Sequence, residues 1–234
     1  MRGSLNPLTL LFRESISIFS EMGFDVYEGP EIETEWYNFD ALNVAADHPS
    51  RDVQDTFWLK EANGNRDLLR THTTSVDVRI MKEGAKPPIR AIIPGRCFRN
   101  EKLDLTHEAT LHQIDGFALG NNITMANLIG TLDSFLKKLL GDNIKIRIRP
   151  HYYPFVEPGM DLDIYKDGKW MEMLGSGMLH PKVIKNMGLN PNLWQGFAFG
   201  FGADRLAMVK YGIKNIRLFE SGDLRFLSQF KITK

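Results

Sequence analysis

The sequence contains a single cysteine, Cys97, among its 234 residues. This count excludes an internal disulfide and any metal site built from several cysteines. The chain also has no apolar run close to the ~20 residues that cross a bilayer. Arg13 and Glu14 interrupt the apolar stretch near its start, so no signal peptide is recognised. These absences favour a soluble protein of a reducing compartment, and we expect a cytoplasmic location.

The chain has no net charge, because 29 lysine and arginine residues balance 29 aspartate and glutamate residues. A large positive field that would capture RNA is therefore excluded, and any grip on RNA is expected to lie partly elsewhere. The 43% hydrophobic and 25% charged fractions are ordinary for a globular protein. Residues 1–4 resemble a vector-derived leader, which leaves one predicted domain over residues 5–234.

Helical periodicity indicates three clear helices. The first begins at Asn6 and Pro7 and ends before Gly23, the second spans Met125 to Leu140, and the third runs from near Ala203 to Gly212. Two predicted strands end in a hairpin at Asp167-Gly168. Other strands are predicted at 89–98, 112–120, 144–148 and 197–202. Short extended pieces are expected at 24–43, and a loop with an edge strand at 45–65.

The order of these elements predicts an α+β fold, a mainly antiparallel β-sheet flanked by helices, because strands and helices do not alternate regularly. Isoleucines at 144, 146 and 148 alternate with Lys145, Arg147 and Arg149, the pattern of a sheet with one wet face. The simplest interpretation of these basic residues is a solvated face.

Candidate chemistry begins at the end of the 89–98 strand, where Arg99 precedes Glu101 by two residues. A guanidinium binds phosphate oxygens with two parallel hydrogen bonds, and a carboxylate accepts from an exocyclic amine. The pair therefore suits a nucleotide, although the same spacing also fits a surface ion pair. Further along, glycines at 200 and 202 precede Arg205 at a predicted helix start, where backbone could approach a flat ligand.

These two segments together resemble motifs 2 and 3 of the class II aminoacyl-tRNA synthetases. Further blocks resemble the phenylalanyl-tRNA synthetase alpha-subunit family in order and spacing, and the resemblance runs from about Asn6 to Phe230. The blocks are Gly29-Pro30-Glu31-Ile32-Glu33, Arg70-Thr71-His72-Thr73-Thr74, Thr106-His107-Glu108, His112-Gln113, Tyr153-Pro154-Phe155-Val156-Glu157-Pro158 and Gly196-Phe197-Ala198-Phe199-Gly200.

The resemblance implies an ATP site. Arg99 would hold the α-phosphate, and Arg205 would bind the γ-phosphate and stack on adenine, which makes these two arginines the predicted catalytic residues. Glu101 would contact the adenine amino group and His107 the β- or γ-phosphate, although a loop histidine bonded to backbone is the plainer alternative. The remaining predicted ATP contacts are Leu111, Gly202 and Glu172, with Glu172 also the predicted Mg²⁺ ligand.

The same resemblance implies a phenylalanine pocket. Its walls would be Phe155 and Val156, with Ala198 limiting depth at the para position. The polar end of the amino acid would meet the side chains of Trp58, His72, Thr74, Gln113 and Asp115. Tyr153 and Gly200 complete the predicted pocket.

The sequence departs from the family pattern in several places. Asp115 stands where glutamate is expected, Asp77 where an amide is expected, and Leu111 where a phenylalanine would lie under adenine. Asp204 replaces a glutamate and Tyr153 a phenylalanine. These departures motivate an alternative, a weakened paralogue or core that binds a ligand or partner and needs a beta subunit for activity.

The resemblance also implies partners and leaves alternatives open. The expected partners are ATP, phenylalanine and tRNA(Phe), with either a beta subunit or a second copy of the chain. The amino-terminal coiled coil usual in the family is expected to be absent. A class II enzyme for another amino acid, such as the phosphoserine type, is a third hypothesis, but its phosphate would lack compensation against Phe155, Val156 and Ala198.

Overall fold

The computed structural model describes residues 3–52, 55–60, 66–100 and 108–230. Its strands are β1 (Asp25–Val26), β2 (Ile32–Thr34), β3 (Asp67–Leu69), β4 (Ile89–Phe98), β5 (Thr110–Gly120), β6 (Lys145–Pro150), β7 (Val156–Lys166), β8 (Lys169–Leu179) and β9 (Gln195–Gly202). Seven of them form one sheet in the order β1-β4-β5-β9-β8-β7-β6. Each neighbouring pair in this sheet is antiparallel apart from β1 and β4. The mainly antiparallel α+β prediction is confirmed.

The helices in the described part of the chain are α1 (Pro7–Glu21), α2 (Glu35–Asn38), α3 (Ser75–Lys82), α4 (Met125–Leu140), α5 (Pro181–Asn186), α6 (Ala203–Tyr211) and α7 (Leu224–Leu227). Short 3₁₀ turns occupy Asp40–Leu42, Pro49–Arg51 and Ile216–Phe219. A second small sheet pairs β2 with β3. Among the described residues, none of the helices is long and apolar enough to cross a membrane.

Local signals account for the helices that the sequence predicted. The Asn6 side chain accepts a hydrogen bond from the Leu8 backbone N–H, and Pro7 occupies the first helical position of α1. At α4, Thr124 and Asn127 form a reciprocal capping box. The hairpin between β7 and β8 turns at Asp167 and Gly168, whose φ angles are 51° and 81°.

Alternation along the strands divides the core into two clusters, one on each face of the large sheet. On β9, Phe199 and Phe201 pack with α1 and α4, whereas Ala198 joins the other cluster. The Phe19 ring of α1 lies between Phe135 of α4 and Phe199, at centroid distances of 4.4 Å and 5.3 Å. This face of the sheet is packed with stacked aromatic rings, and the opposite face carries the second apolar cluster.

Four local expectations need correction. Helix α2 lies where extended pieces were expected, because Thr34 caps it by accepting from the Tyr37 backbone N–H. Helix α3 was not predicted at all. The expected edge strand at 45–65 is reduced, in the described residues, to one bridge between Trp58 and Leu68. The basic residues of β6 are not simply solvated, since Arg147 and Arg149 both bond Asp163 on β7.

Candidate active site

A cavity of about 730 Å³ opens on the face of the sheet opposite α1 and α4. Odd-numbered residues of β5 and even-numbered residues of β9 point into it, because side chains alternate along a strand. The predicted site residues that line it are His72, Thr74, Arg99, Leu111, Gln113, Asp115, Tyr153, Phe155, Glu172, Ala198, Gly200, Gly202 and Arg205. Segments far apart in sequence therefore meet at one place.

Two predicted site residues lie outside the described part of the chain, Glu101 and His107. Two others are described but do not line the cavity. Trp58 packs beside Phe39 and donates from its indole Nε1 to the Arg51 carbonyl at 3.1 Å. Val156 is buried in the core cluster behind the cavity wall. Both support the cavity from the layer behind its lining.

Arg99 and Arg205 are anchored by different elements. The Arg99 backbone N–H donates to the Ala109 carbonyl at 2.9 Å, and its Nε donates to the Thr71 carbonyl at 3.2 Å. Arg205 lies in the first turn of α6, and its Nη1 donates to the Glu172 carbonyl at 3.4 Å. Both guanidinium groups border the same cavity, where they offer donors to an anionic ligand.

Asp204 lines the cavity and also connects α6 to the sheet. Its carboxylate accepts from the His112 backbone N–H at 2.5 Å and contacts the His112 ring Nδ1 at 3.1 Å. This pair joins the first turn of α6 to β5. The carboxylate therefore holds Arg205 in a set position relative to the strand that carries Gln113 and Asp115.

The apolar part of the cavity is closed by aromatic rings and a small residue. Phe155 stacks on Tyr153 with ring centroids 5.7 Å apart. The Tyr153 hydroxyl donates to Asp161 Oδ1 at 2.7 Å, and burial, followed by this bond, raises the pKa of Tyr153. Ala198 lies at the floor with only a methyl side chain. A flat aromatic side chain fits such a slot.

The polar part of the cavity is formed by β5 and the segment that leads into α3. Thr74 Oγ1 donates to Asp115 Oδ2 at 2.7 Å. Cys97 Sγ donates to Gln113 Oε1 at 3.2 Å, which leaves the Gln113 amide nitrogen as a donor. Burial, helped by the Arg99 charge, lowers the pKa of His72 to about 3. His72 is therefore neutral at physiological pH. Asp115 is the acidic side chain of this group, and burial raises its pKa while the hydrogen bond from Thr74 opposes the rise.

Glu172 on β8, the predicted Mg²⁺ ligand, lines the cavity. Its Oε2 accepts from Arg149 Nη2 at 3.1 Å, and about half of its side chain is exposed. Within the described ranges, no group of three His, Cys, Asp or Glu side chains could hold a metal ion. A single carboxylate still fits Mg²⁺, which usually takes most of its ligands from water and substrate phosphates.

An ion-pair network that was not predicted from the sequence lies at the cavity edge. Arg149 Nε lies 2.8 Å from Asp163 Oδ2, and its Nη2 also reaches Asp161 and Glu172. The hydrogen bonds to Arg149 and Arg147 lower the pKa of Asp163 despite its burial. The available signal was the pairing of alternating basic residues on β6 with the acidic residues at 161 and 163 on β7.

The chain is similar in sequence to proteins of one known family. A model of the tRNA synthetases class II core domain (F) matches residues 1–230. The phenylalanine-tRNA ligase alpha subunit of Leptospira biflexa is 48% identical over 98% of this chain and 69% of its own length. Those of Caldicellulosiruptor bescii and Yersinia pestis are each 46% identical over 98% of this chain. The chain belongs to the phenylalanine-tRNA ligase alpha-subunit family of class II synthetases.

Solved structures agree with this membership at the level of fold. A pyrrolysyl-tRNA synthetase from Desulfitobacterium hafniense matches 97% of this chain and 77% of its own chain with a TM-score of 0.72. A second structure of that enzyme gives 0.70. The identities, 18% and 19%, are low enough that the likeness shows the class II fold alone. The family and the fold expected from the sequence are confirmed.

Proposed function

We propose that this chain is the catalytic core of a phenylalanine-tRNA ligase alpha subunit. It activates phenylalanine with ATP to give phenylalanyl-adenylate and pyrophosphate, and passes the acyl group to tRNA(Phe). The observation that carries the proposal is one cavity that joins two guanidinium groups, a buried carboxylate and an aromatic slot. These are the groups required to hold triphosphate, α-ammonium and phenyl ring side by side.

Activation in this cavity is mainly a matter of alignment and charge. A carboxylate oxygen of phenylalanine attacks the α-phosphorus of ATP, the bond to the bridging oxygen breaks, and pyrophosphate leaves. Arg99, which contacts the α-phosphate in this proposal, stabilises the charge that develops there, while Arg205 holds the γ-phosphate and covers adenine. Leu111 and Gly202 border the adenine. The roles given to Glu101 and His107 stay predictions.

The amino acid lies with its ring between Phe155 and the floor at Ala198, and its ammonium beside Asp115. Thr74 fixes one oxygen of Asp115, which leaves Oδ1 for the ligand. His72 and Gln113 contact the same polar end. Tyr153 and Gly200 shape the wall around the ring, and Val156 and Trp58 support it from behind.

Glu172 would hold Mg²⁺ together with substrate phosphates, and the ion supplies charge neutralisation when bound. Arg149 contacts one oxygen of Glu172, so this arginine orients the carboxylate. No general base is needed for transfer to tRNA, because the adenylate phosphate can accept the proton of the attacking ribose hydroxyl. Catalysis of this second step is again positioning.

A beta subunit and tRNA(Phe) are the proposed partners, and the cytoplasm the proposed location. Trp36 and Ile32, whose exposed fractions are 38% and 55%, offer apolar contact area around the β2 segment. A second copy of the chain could cover the same surface. The division into a leader at residues 1–4 and a domain at 5–234 stays a prediction.

Phenylalanine-dependent exchange of labelled pyrophosphate into ATP tests the proposal. The exchange should require phenylalanine, and it should be measured with and without a beta subunit. Activity that appears only with the beta subunit would favour the subunit-dependent alternative. Normal folding with no exchange in either case, and no phenylalanine binding by calorimetry, would leave a non-catalytic paralogue as the better account.

A further inference from the structure

Asp77 is a buried carboxyl group that the proposed reaction does not yet use. It lies in the first turn of α3 with an exposed fraction of 1%. Neither of its carboxyl oxygens has a hydrogen-bond partner among the described residues. Asp115, with an exposed fraction of 2%, likewise has an unpartnered oxygen, Oδ1, within that part of the chain. Two buried acids with free oxygens need an explanation, because such groups are normally bonded.

Thr74 joins the two carboxyl groups. Its hydroxyl donates to Asp115 Oδ2 at 2.7 Å, and its carbonyl accepts from the Asp77 backbone N–H at 3.0 Å. The first turn of α3 is thereby held against β5 at the cavity floor. Asp115 lines the cavity, whereas Asp77 lies behind it. The two acids also act on each other, because the Asp115 charge raises the pKa of Asp77.

The cations around the pair act on Asp115 rather than on Asp77, because the Arg99 charge lowers the pKa of Asp115, whereas burial and Asp115 itself are the causes that shift the pKa of Asp77. Arg70 donates to the carbonyls of Arg96 and Gly29 at 2.8 Å and 3.0 Å, and Arg99 donates to the Thr71 carbonyl. His72 is neutral at physiological pH. The thiol of Cys97, whose pKa burial raises, is uncharged, and Asp204 is engaged by His112. The environment therefore accommodates one negative charge more easily than two.

We propose that Asp77 and Asp115 share one proton, which Asp77 carries in the free site, and that an α-ammonium group binding at Asp115 promotes its release. This inference rests on the proposed function, since it takes the amino-acid ammonium as the ligand of Asp115. Asp77 acts through Asp115 and is therefore a positioning residue. It keeps the ligand-facing carboxylate singly charged and couples amino-acid binding to pH.

The direction of the titration agrees with this assignment. Burial, and next the neighbouring Asp115, raise the pKa of Asp77 well above its ordinary value. Burial also raises the pKa of Asp115, but the hydrogen bond from Thr74 opposes that rise. A cation at Asp115 lowers the pKa of Asp77, so the affinity for phenylalanine should rise with pH. The rise is at most about tenfold per pH unit for one proton.

Calorimetric titration of phenylalanine into the full chain tests the linkage over about pH 5 to 8, where folded proteins are usually most stable. Buffers with different ionisation enthalpies report the number of protons released. The wild-type chain should release protons, and Asp77→Asn should release clearly fewer. Asp142→Asn makes the same substitution at an exposed position and should behave as wild type. Equal release by wild type and Asp77→Asn would overturn the proposal.

An infrared spectrum of the ligand-free protein separates this inference from the proposed function. At neutral pH it should contain the carbonyl band of a protonated carboxylic acid, absent from Asp77→Asn and shifted in Asp115→Asn. Asp115→Asn also serves if Asp77→Asn fails to fold. If no variant binds phenylalanine but the band behaves as described, the shared proton stands and the proposed ligand fails. No acid band in the wild-type chain contradicts the shared proton directly.

Discussion

The two faces of the large sheet differ in the kind of side chain that they bury. On the face of the sheet that packs against α1 and α4, here called the helix face, stacked rings such as Phe19, Phe135 and Phe199 fill the core and contribute stability. The cavity face buries polar groups, and several of their atoms have no hydrogen-bond partner within the described ranges, among them oxygens of Asp77 and Asp115. The packed rings on one face therefore offset the free-energy cost of burying polar groups without hydrogen-bond partners on the other face, where a ligand can bind them.

Truncation of the ring stack should give the largest effect on stability. Phe19→Ala removes a fully buried ring, and we expect a loss of about 3–5 kcal/mol in the free energy of unfolding. Urea unfolding measures it, with Leu224→Ala as the exposed control. If enough protein stays folded, the KM for phenylalanine should be unchanged. A large KM change without loss of stability would contradict the division between the faces.

Removal of a cavity guanidinium should affect activity instead. Arg205→Ala takes away a phosphate contact that strengthens in the transition state, and we expect exchange to fall about 10²–10³-fold. The unfolding midpoint should hardly move, because Arg205 is exposed. Arg225→Ala removes the same charge from an exposed ion pair and should keep full exchange. An equal loss in both variants would mean that net charge, and not the site, matters.

One methyl group on β9 should set the substrate range. Ala198→Gly deepens the floor of the aromatic slot, so para-substituted phenylalanines should gain about 1–3 kcal/mol relative to phenylalanine in kcat/KM. The matched control is Ala118→Gly, the same deletion at a buried position of the helix-face cluster. It should lower stability without altering this ratio. If Ala118→Gly alone changed this ratio of kcat/KM values, the residue that sets specificity would lie on the helix face and not in the cavity.

The smallest effect is expected at the cavity edge. Tyr153→Phe removes the hydroxyl that donates to Asp161, while Arg149 Nη2 still contacts Asp161 at 3.2 Å. We expect a stability loss of about 0.5–1.5 kcal/mol and little change in the KM for phenylalanine. Tyr165→Phe, at an exposed position of β7, is the control. A large rise in KM would show that the hydroxyl itself contacts the substrate.

The elements with clear local signals could be predicted from the sequence. An element whose formation depends on tertiary packing could not. Caps and apolar spacing marked α1 and α4, and two positive φ angles marked the hairpin at Asp167 and Gly168. Helix α3 has a short, β-branched sequence and a buried acid, so local propensity did not indicate it. Its stability comes from contacts with the sheet, which a single sequence does not display.

The site was predicted mainly through the family resemblance. That resemblance brought Arg99 and Arg205 together, as the cavity does, although each alone fits an ordinary surface arginine. It also placed Trp58 and Val156 at the ligand, whereas the fold puts both behind the lining. Which side of a wall a residue occupies depends on the register of neighbouring strands, and motif identity does not specify it.

Amino-acid-dependent pyrophosphate exchange with a panel of amino acids tests the central claim most directly. The folded chain, supplied with a beta subunit, should exchange label into ATP with phenylalanine and far more slowly with the other amino acids, and Arg205→Ala should lose this exchange. Exchange that is absent, or equally fast with a small polar amino acid, would contradict a phenylalanine-activating site on the cavity face.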